Sequence, residues 1–275
     1  MMIQGDSAFN MNPPHIRLNK YVLYYNIVFP KKYMFTDHYT LMPDASGTIS
    51  IAYNGKDILA ELWGASITPT LLGSEPNNYS IMLLIELSPY GLYQLTHCHQ
   101  AEFADKRLLL KDVDKKLYDS FYHGFEAAKD ADDLFSICDK ILYSYMENSV
   151  VSNGVLSASE IISNNHGQIF VSDLAKQVGY SERQLNRLFL MQIGISVKSY
   201  TRLVRFNEVL RHIQKSPCCL AALSQQIGYF DQAHFDKDFK AISGVTPKEY
   251  MKSMSDFYYD IKEASSILAS RRDEL

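Results

Sequence analysis

The stretch of sequence that decides the fold is VSDLAKQVGYSERQLNRLFLMQIGISVKSY, residues 171–200, and it recurs in outline as LAALSQQIGYFDQAHFDKDFKAISGVTPKEY, residues 220–250. Positions up to and including a Gly-Tyr pair match at a separation of 49 residues, and those beyond it match at 50. The matching pairs are Leu174 and Leu223, Val178 and Ile227, Gly179 and Gly228, Tyr180 and Tyr229, Phe189 and Phe239, Gly194 and Gly244, and Tyr200 and Tyr250. One copy therefore carries a single extra residue just after the Gly-Tyr pair. This self-similarity predicts two copies of one structural unit.

Each copy is predicted to form two helices around a short turn. In the first copy, apolar residues recur at helical spacing before Gly179, and Ser172 or Asp173 offers the N-terminal cap. Gly179 ends this helix because glycine adopts a positive φ without strain. Ser181 then caps a second helix, which ends at Gly194. The predicted buried residues are Val171, Leu174, Ala175, Val178, Leu185, Leu188 and Phe189 in the first copy and Leu220, Leu223, Ser224, Ile227, Phe235 and Phe239 in the second.

The polar face of the second helix in each copy carries the candidate DNA-binding residues. Arg makes paired hydrogen bonds to guanine, and Asn and Gln make them to adenine, in the major groove where a helix-turn-helix places its second helix. The candidates are Arg183, Gln184, Asn186 and Arg187 in the first copy and Gln232, Ala233, His234 and Lys237 in the second, which Asp231 can cap. Asp236 and Asp238 lie on this second helix and would repel phosphate. We therefore expect the first copy to supply more of the affinity for DNA.

A single helix is predicted to join the two copies. Residues 196–214 contain no Gly or Pro, and Pro217 marks the end of the segment. Nineteen residues at about 1.5 Å each span roughly 28 Å, which is close to the roughly 34 Å of one DNA turn. Two recognition helices held this far apart would enter successive major grooves and read a site of about 16–20 base pairs.

These motifs resemble those of the AraC/XylS family of bacterial transcription regulators. The family pattern in the second copy is close to I-A-x-x-x-G-F…F-x-x-x-F-K-x-x-x-G-x-T-P-x-x-Y, and residues 223–250 follow it. The departures are Val197 in place of a usual proline, Val209 and Ser224 in place of alanines, and Met251 in place of an arginine. The resemblance covers about 100 residues.

The resemblance implies a function and a role for individual residues. Residues 151–254 would be a DNA-binding domain, and Arg205 would be a structural arginine of the joining helix. The positions at which family members reach bases correspond to Arg183, Asn186 and Arg187 in the first copy and to Gln232, Ala233, His234 and Lys237 in the second. We therefore expect a sequence-specific regulator of transcription, responsive to an effector, with double-stranded DNA and RNA polymerase as partners. Family habit favours activation.

Residues 1–150 are predicted to form a sensor and dimerisation domain, which makes the chain an α+β protein of two domains. Short aromatic and β-branched runs separated by turns predict a small β-barrel over about residues 15–105, cupin-like by resemblance to the family. Helices follow over about residues 108–148, with apolar stripes at Leu117, Tyr118, Phe121 and Phe125 and at Leu134, Ile137, Cys138, Ile141, Leu142 and Tyr145. They either dimerise, as the resemblance implies, or pack onto the barrel. Val150–Gly154 is the expected linker.

The aromatic residues of this domain leave two interpretations open. They either line a pocket for a small-molecule effector or form the core. The residues concerned include Tyr24, Tyr25, Phe29, Tyr33, Phe35, Tyr53, Trp63 and Tyr79.

Charge and cysteine content are consistent with a nucleic-acid module on an acidic body. The chain of 275 residues has a net charge of −4, made up of −6 over residues 1–150, +4 over residues 151–254 and −2 over the solvated tail 255–275. The four cysteines, Cys98, Cys138, Cys218 and Cys219, fit neither a disulfide framework nor a paired zinc site. With no secretory signal or membrane span evident in the sequence, we expect a cytoplasmic protein that does not bind membranes.

The sequence also allows three other interpretations. On a strand, His97-Cys98-His99 would place two histidines on one face, and His38 or His15 would complete a metal site. Alternatively, Cys98 would act as a nucleophile in a barrel enzyme. We expect ordinary histidines and no metal, because no cupin-type cluster with a spaced carboxylate is visible in the sequence. We also expect no catalytic residue or cofactor, because no phosphate loop, nucleophile elbow or glycine fingerprint is present in the sequence. The remaining alternative is a protein-interaction module whose helical repeat binds protein. Arg183, Asn186 and Arg187 on one face argue against it.

Overall fold

The computed structural model describes Ile3, residues 8–215 and residues 219–253. Pro217, Cys218 and the tail 255–275 lie outside the described residues. The strands are β1 (Phe9–Asn12), β2 (Val22–Val28), β3 (Thr40–Leu41), β4 (Thr48–Tyr53), β5 (Ile58–Trp63), β6 (Thr70–Leu71), β7 (Ile81–Leu87) and β8 (Arg107–Leu109). The helices are α1 (Pro30–Tyr33), α2 (Gly91–Thr96), α3 (Leu110–Val113), α4 (Lys115–Ala127), α5 (Ala131–Met146), α6 (Asn153–Asn164), α7 (Val171–Gln177), α8 (Glu182–Gln192), α9 (Val197–Lys215), α10 (Leu220–Gln226), α11 (Gln232–Ser243) and α12 (Pro247–Lys252). Three short 3-10 segments are η1 (Ile16–Leu18), η2 (Glu75–Asn78) and η3 (Gln100–Glu102). None of the described helices is both long enough and apolar enough to cross a bilayer.

The N-terminal domain is built on one antiparallel sheet with the strand order β1-β2-β7-β4-β5-β8. A local hairpin joins β4 to β5 at Asn54-Gly55, where Gly55 has φ of 105°. The Asn54 side-chain oxygen accepts hydrogen bonds from the backbone N–H groups of Lys56 and Asp57. A second, two-stranded sheet pairs β3 with β6. The strands predicted from sequence are therefore present.

This sheet is open, so the expected closed barrel is not what the structure shows. Its edges, β1 and β8, each pair with one neighbour among the described residues and not with each other. A barrel would need those edges to be long enough to hydrogen bond, but β8 has three residues and leads directly into α3.

Helices cover one face of the sheet. The buried stripe of α4 contains Leu117, Phe121 and Phe125. The ring of Phe135 in α5 stacks on Tyr25 of β2, with centroids 5.7 Å apart. Each of these side chains contributes roughly 1.5–3 kcal/mol through burial. Of the two interpretations of the stripes, packing onto the sheet is therefore the one the structure shows.

The opposite face of the sheet looks toward the C-terminal domain. Because alternate residues of a strand point to opposite faces, Met82, Leu84 and Glu86 of β7 share this side. A small cluster that includes Phe35 and Tyr39 packs on part of it. The remainder is left as a cavity, and α9 of the C-terminal domain forms its far wall.

The two domains meet through a short, well-held segment rather than a loose linker. The expected linker Val150–Gly154 is already helical from Asn153, and Ser152 is the N-cap of α6. The buried Gln94 donates to the Asn148 carbonyl (2.6 Å) and accepts from the Val150 N–H (3.0 Å). Gln192, also buried, accepts from both the N–H and the hydroxyl of Ser152, at 3.0 and 3.1 Å.

Candidate nucleic-acid interface

The first helix-turn-helix consists of α7 and α8. Gly179 closes α7 with φ of 74°, as predicted, and Ser181 caps α8. The prediction that Ser172 or Asp173 caps α7 was wrong, because the N-cap is Phe170 and no side chain caps that helix. Phe170 is 78% exposed instead of supporting the turn.

Two arginines are exposed on the outer face of α8. Arg183 and Arg187 are exposed and one turn apart, whereas Leu185 and Phe189 on the opposite face are buried. A guanidinium on a helix face is able to reach the edge of guanine or a phosphate. Their backbone is held firmly by the cap at Ser181, so both charges project from a fixed surface.

The other two candidates of α8 are engaged within the protein. Gln184 forms a capping box with Ser181, whose N–H and hydroxyl both donate to the Gln184 side-chain oxygen, at 3.1 and 2.8 Å. The Asn186 side-chain oxygen accepts from the N–H of Val197, the first residue of α9, at 3.2 Å. Asn186 is half-buried there. Both side chains therefore hold the fold, and their contact with bases stays a prediction.

The second helix-turn-helix consists of α10 and α11. Asp231 caps α11 as predicted, accepting from the His234 N–H at 2.7 Å. Ala233, His234 and Lys237 are exposed, and Gln232 is half-buried. The His234 ring packs edge-on against Tyr229 with centroids 5.4 Å apart, which fixes its position on the surface.

The acidic residues of α11 differ in their surroundings. Asp238 pairs with Arg202 of α9, with 2.6 Å between Oδ1 and Nε, and accepts the Tyr229 hydroxyl at 2.9 Å. Burial, and then the charge of Asp238, raise the pKa of the Tyr229 phenol. The negative charge of Asp238 is therefore paired with Arg202 within the domain, which weakens the repulsion of phosphate expected from it. Asp236 is half-buried.

The joining helix α9 runs over Val197–Lys215, one residue from the predicted span. Arg205 donates to the Gly167 carbonyl through Nη2 at 2.6 Å, and its guanidinium lies 5.5 Å from the centre of the Tyr229 ring. Arg205 therefore ties the α6–α7 turn and the second unit to one helix, which is the structural role expected of it.

Sequence reasoning did not single out Phe230, which is 91% exposed. It lies between Tyr229 and the cap residue Asp231, at the position of the one-residue insertion that distinguishes the second copy. The insertion was visible in the sequence, but its exposure was not.

A second candidate site is the cavity between the sheet and α9, with a volume of about 580 Å³. A volume of that size suits a small organic ligand. The sheet contributes Tyr24, Thr48, Trp63, Met82, Leu84 and Glu86, the segments around it contribute Phe35, Tyr39 and Asp44, and α9 contributes Tyr200, Leu203, Val204, Asn207, Leu210 and Arg211. The aromatic residues of the N-terminal half thus divide between the two interpretations. Tyr24 and Trp63 line the cavity, whereas Tyr25 is fully buried against the helices.

The histidine pair does not form the arrangement considered for a metal. His97 is the residue after α2 and has φ of 56°, so His97 and His99 lie in a turn and not on a strand. Among the described residues, no group of three or more His, Cys, Asp or Glu side chains is placed to hold a metal ion.

Comparison with known proteins gives one family model and several relatives that each match part of the chain. Residues 174–253 match the family model described as a helix-turn-helix domain. The Msm operon regulatory protein of Streptococcus mutans is 26% identical over 124 residues, which are 44% of this chain and 45% of that protein. The arabinose operon regulatory protein of Escherichia coli is 26% identical over 113 residues, 40% of this chain and 39% of that protein. The chain thus spans less than half the length of these relatives.

Among solved structures, ToxT from Vibrio cholerae aligns over 90% of this chain and 98% of its own, with a TM-score of 0.43 and 13% sequence identity.

Proposed function

Because residues 174–253 are an AraC-type helix-turn-helix domain, we propose that the chain is a sequence-specific DNA-binding regulator of transcription. The observation that carries the proposal is the pair of recognition helices, α8 and α11, which both pack on α9 and each expose basic side chains. Arg183 and Arg187 would contact bases or phosphates from the first unit, and His234 and Lys237 from the second. Gln184, Asn186, Gln232 and Ala233 would shape those surfaces.

Selection of binding sites from random double-stranded DNA by the full chain tests this proposal. We expect enrichment of two short elements about one helical turn apart. Arg187→Ala should weaken binding by about 1–3 kcal/mol and relax the preference at one position. Lys116→Ala, which removes an exposed charge from α4, is the matched control and should leave the selected site unchanged.

The dependence on salt separates this function from the protein-interaction alternative. Contacts to phosphate release counterions, so the affinity for the selected site should fall steeply as salt rises. Absence of any enriched sequence, together with binding to DNA that is indifferent to Arg187→Ala, would contradict the proposal and favour a module that binds protein.

We propose further that the cavity between the sheet and α9 is an effector site. What supports this is its position, because an occupant would touch the helix to which both recognition units are attached. RNA polymerase and a second copy of the chain are proposed partners, and the cytoplasm is the proposed location. That the N-terminal domain is related to the cupin fold stays a prediction.

A further inference from the structure

A row of four side chains crosses the sheet beneath the cavity. Cross-strand pairing sets Tyr24 opposite Glu86, Glu86 opposite Thr48, and Thr48 opposite Trp63. Neighbouring strands lie about 4.8 Å apart, so these side chains stand next to one another on the face that lines the cavity. The Glu86 carboxylate accepts the Thr48 hydroxyl at 3.0 Å. A carboxylate is thus placed between two aromatic side chains in the cavity floor.

A second carboxylate enters the cavity from the loop before β4. Asp44 is fixed by the N–H of Ser46, which donates to its Oδ1 at 2.8 Å. Asp44 is an exposed residue that lines the cavity, and partial desolvation by the cavity wall raises the pKa of its carboxyl. A carboxylate in such surroundings is stabilised by a nearby positive charge.

The positive charge that the described part of the chain contributes to the wall is already paired. Arg211 of α9 donates to the Glu208 carboxylate, which also faces His166 and His212, each with 3.3 Å between a ring nitrogen and a carboxylate oxygen. The Glu208 side chain is 12% exposed, so the carboxylate that pairs with Arg211 is itself largely shielded from solvent. Arg211 is therefore poorly placed to attract an anion.

The aromatic lining adds a second preference for positive charge. The faces of aromatic rings attract cations, and Trp is the strongest of them. Trp63 already shows this, because the guanidinium of Arg107 lies 4.5 Å from the centre of its ring. Tyr39 and Tyr200 add two more aromatic side chains to the lining of the cavity.

We propose that the cavity binds an organic cation, an apolar molecule carrying a protonated amine, with the ammonium held by Asp44 and Glu86 and the apolar body against Trp63 and α9. This inference rests on the proposed function only for its biological role as an effector. Binding itself requires no DNA.

Trp63 provides the measurement, since it is the single tryptophan of the chain and lines the cavity. Three probes share one body and differ in charge: 4-phenylbutylammonium, 4-phenylbutanol and 4-phenylbutyrate. We expect the ammonium to change the Trp63 fluorescence saturably, with a dissociation constant at least about tenfold below those of the alcohol and the carboxylate. Equal affinity for ammonium and alcohol, tighter binding of the carboxylate, or no saturable change with any probe would overturn the proposal.

Variants then locate the ammonium. Asp44→Asn and Glu86→Gln should each raise the dissociation constant of 4-phenylbutylammonium about tenfold while leaving that of 4-phenylbutanol unchanged. Asp57→Asn removes the same charge from the exposed β4–β5 turn and should change neither. An unchanged affinity for the ammonium in both cavity variants would reject the assignment, and an unchanged unfolding midpoint confirms that the variants are folded.

The two proposals fail separately. Arg187→Ala should bind the ammonium as the natural chain does, even though it binds DNA poorly. If site selection finds no operator but the ammonium still binds selectively, the regulator function is wrong and the cavity assignment stands. Selective DNA binding without ammonium binding gives the reverse result.

Discussion

At the scale of single residues, Asn186 has two possible roles, contact with DNA and stabilisation of the fold. Its side-chain oxygen accepts from the first N–H of α9, an amide that has no partner within the helix. Asn186 therefore joins the recognition helix of the first unit to the helix that carries the second. Its neighbour Arg187 is exposed and makes no such hydrogen bond among the described residues.

We expect Asn186→Ala to lower the free energy of unfolding by about 1 kcal/mol, since a side-chain cap is lost. Arg183→Ala, at an exposed position on the same helix, should change it by less than about 0.5 kcal/mol. Urea denaturation followed by circular dichroism measures both. Full stability of Asn186→Ala together with a loss of DNA binding would show that Asn186 serves DNA and not the fold.

The structural role of Gln184 was predictable from the sequence, whereas that of Asn186 was not. The spacing Ser181-x-x-Gln184 is a capping-box signature and could have assigned Gln184 to the cap from sequence alone. Asn186 acts on an amide eleven residues further along, so no local pattern reports it. Periodicity identified which side chains face outward, but hydrogen bonding between elements decides which of them remain available.

At the scale of elements, the turn between α6 and α7 is docked against the middle of α9. Gly167 has φ of 70°, and a Cβ placed there would lie 2.5 Å from the Thr201 carbonyl oxygen. Gly179 has φ of 74°, yet a Cβ there would meet no heavy atom within 4 Å among the described residues. The two glycines thus share a backbone conformation and differ in their surroundings.

Gly179→Ala should cost about 1–2 kcal/mol of stability from the left-handed backbone alone. Gly167→Ala should cost about 1–3 kcal/mol more, because the methyl group meets backbone atoms that cannot move without shifting α9. Urea denaturation of the two variants gives the difference directly. Equal losses would mean that the α6–α7 turn does not press on α9 as closely as described.

The elements of the C-terminal domain were predictable because their signals are local. Glycines at the turns, the caps at Ser181 and Asp231 and the apolar stripes all lie within one helix of the residue they affect. Helix α6 was missed, since its apolar residues serve contacts with other helices and Gly154 accommodates the ring of Tyr180.

At the scale of the whole molecule, the relation between the domains is set by two buried glutamines. Gln94 holds residues 148–150, and Gln192 holds Ser152. The C-terminal end of α8 also approaches η3, where a Cβ on Gly194 would lie 2.7 Å from the Gln100 carbonyl oxygen. The recognition helix of the first unit is thus in direct contact with the N-terminal domain.

Gln192→Leu should loosen this junction, because the Ser152 N–H and hydroxyl lose their buried acceptor. Leaving these donors without a partner should destabilise the junction by about 1–3 kcal/mol. Local opening should then be roughly fivefold more frequent or greater. Cleavage after Glu147 by a glutamate-specific protease, with fragments identified by mass, measures the opening. Gln177→Leu makes the same change at an exposed site, and equal cleavage rates for the two variants would rule out the junction as described.

The architecture at this scale was the least predictable. Strand β7 lies between β2 and β4, and its paired residues are at least 28 positions away in sequence, from Tyr53 to Ile81, so no turn motif records that pairing. Whether the sheet closes depends on the short edges β1 and β8, which periodicity does not reveal. The cavity arises only when α9 faces the sheet, a contact between residues far apart in the chain.

One consequence of α9 concerns how such a protein changes over generations. Leu203, Asn207 and Leu210 form a wall of the cavity on the helix that also sets the spacing of the recognition units. A substitution there to suit a new small molecule alters the geometry offered to DNA as well, and selection acts on both at once. Substitutions that adapt the cavity to a new ligand should therefore disturb DNA binding least on the sheet, at Met82 or Leu84. Substitutions in α9 should be accepted more slowly.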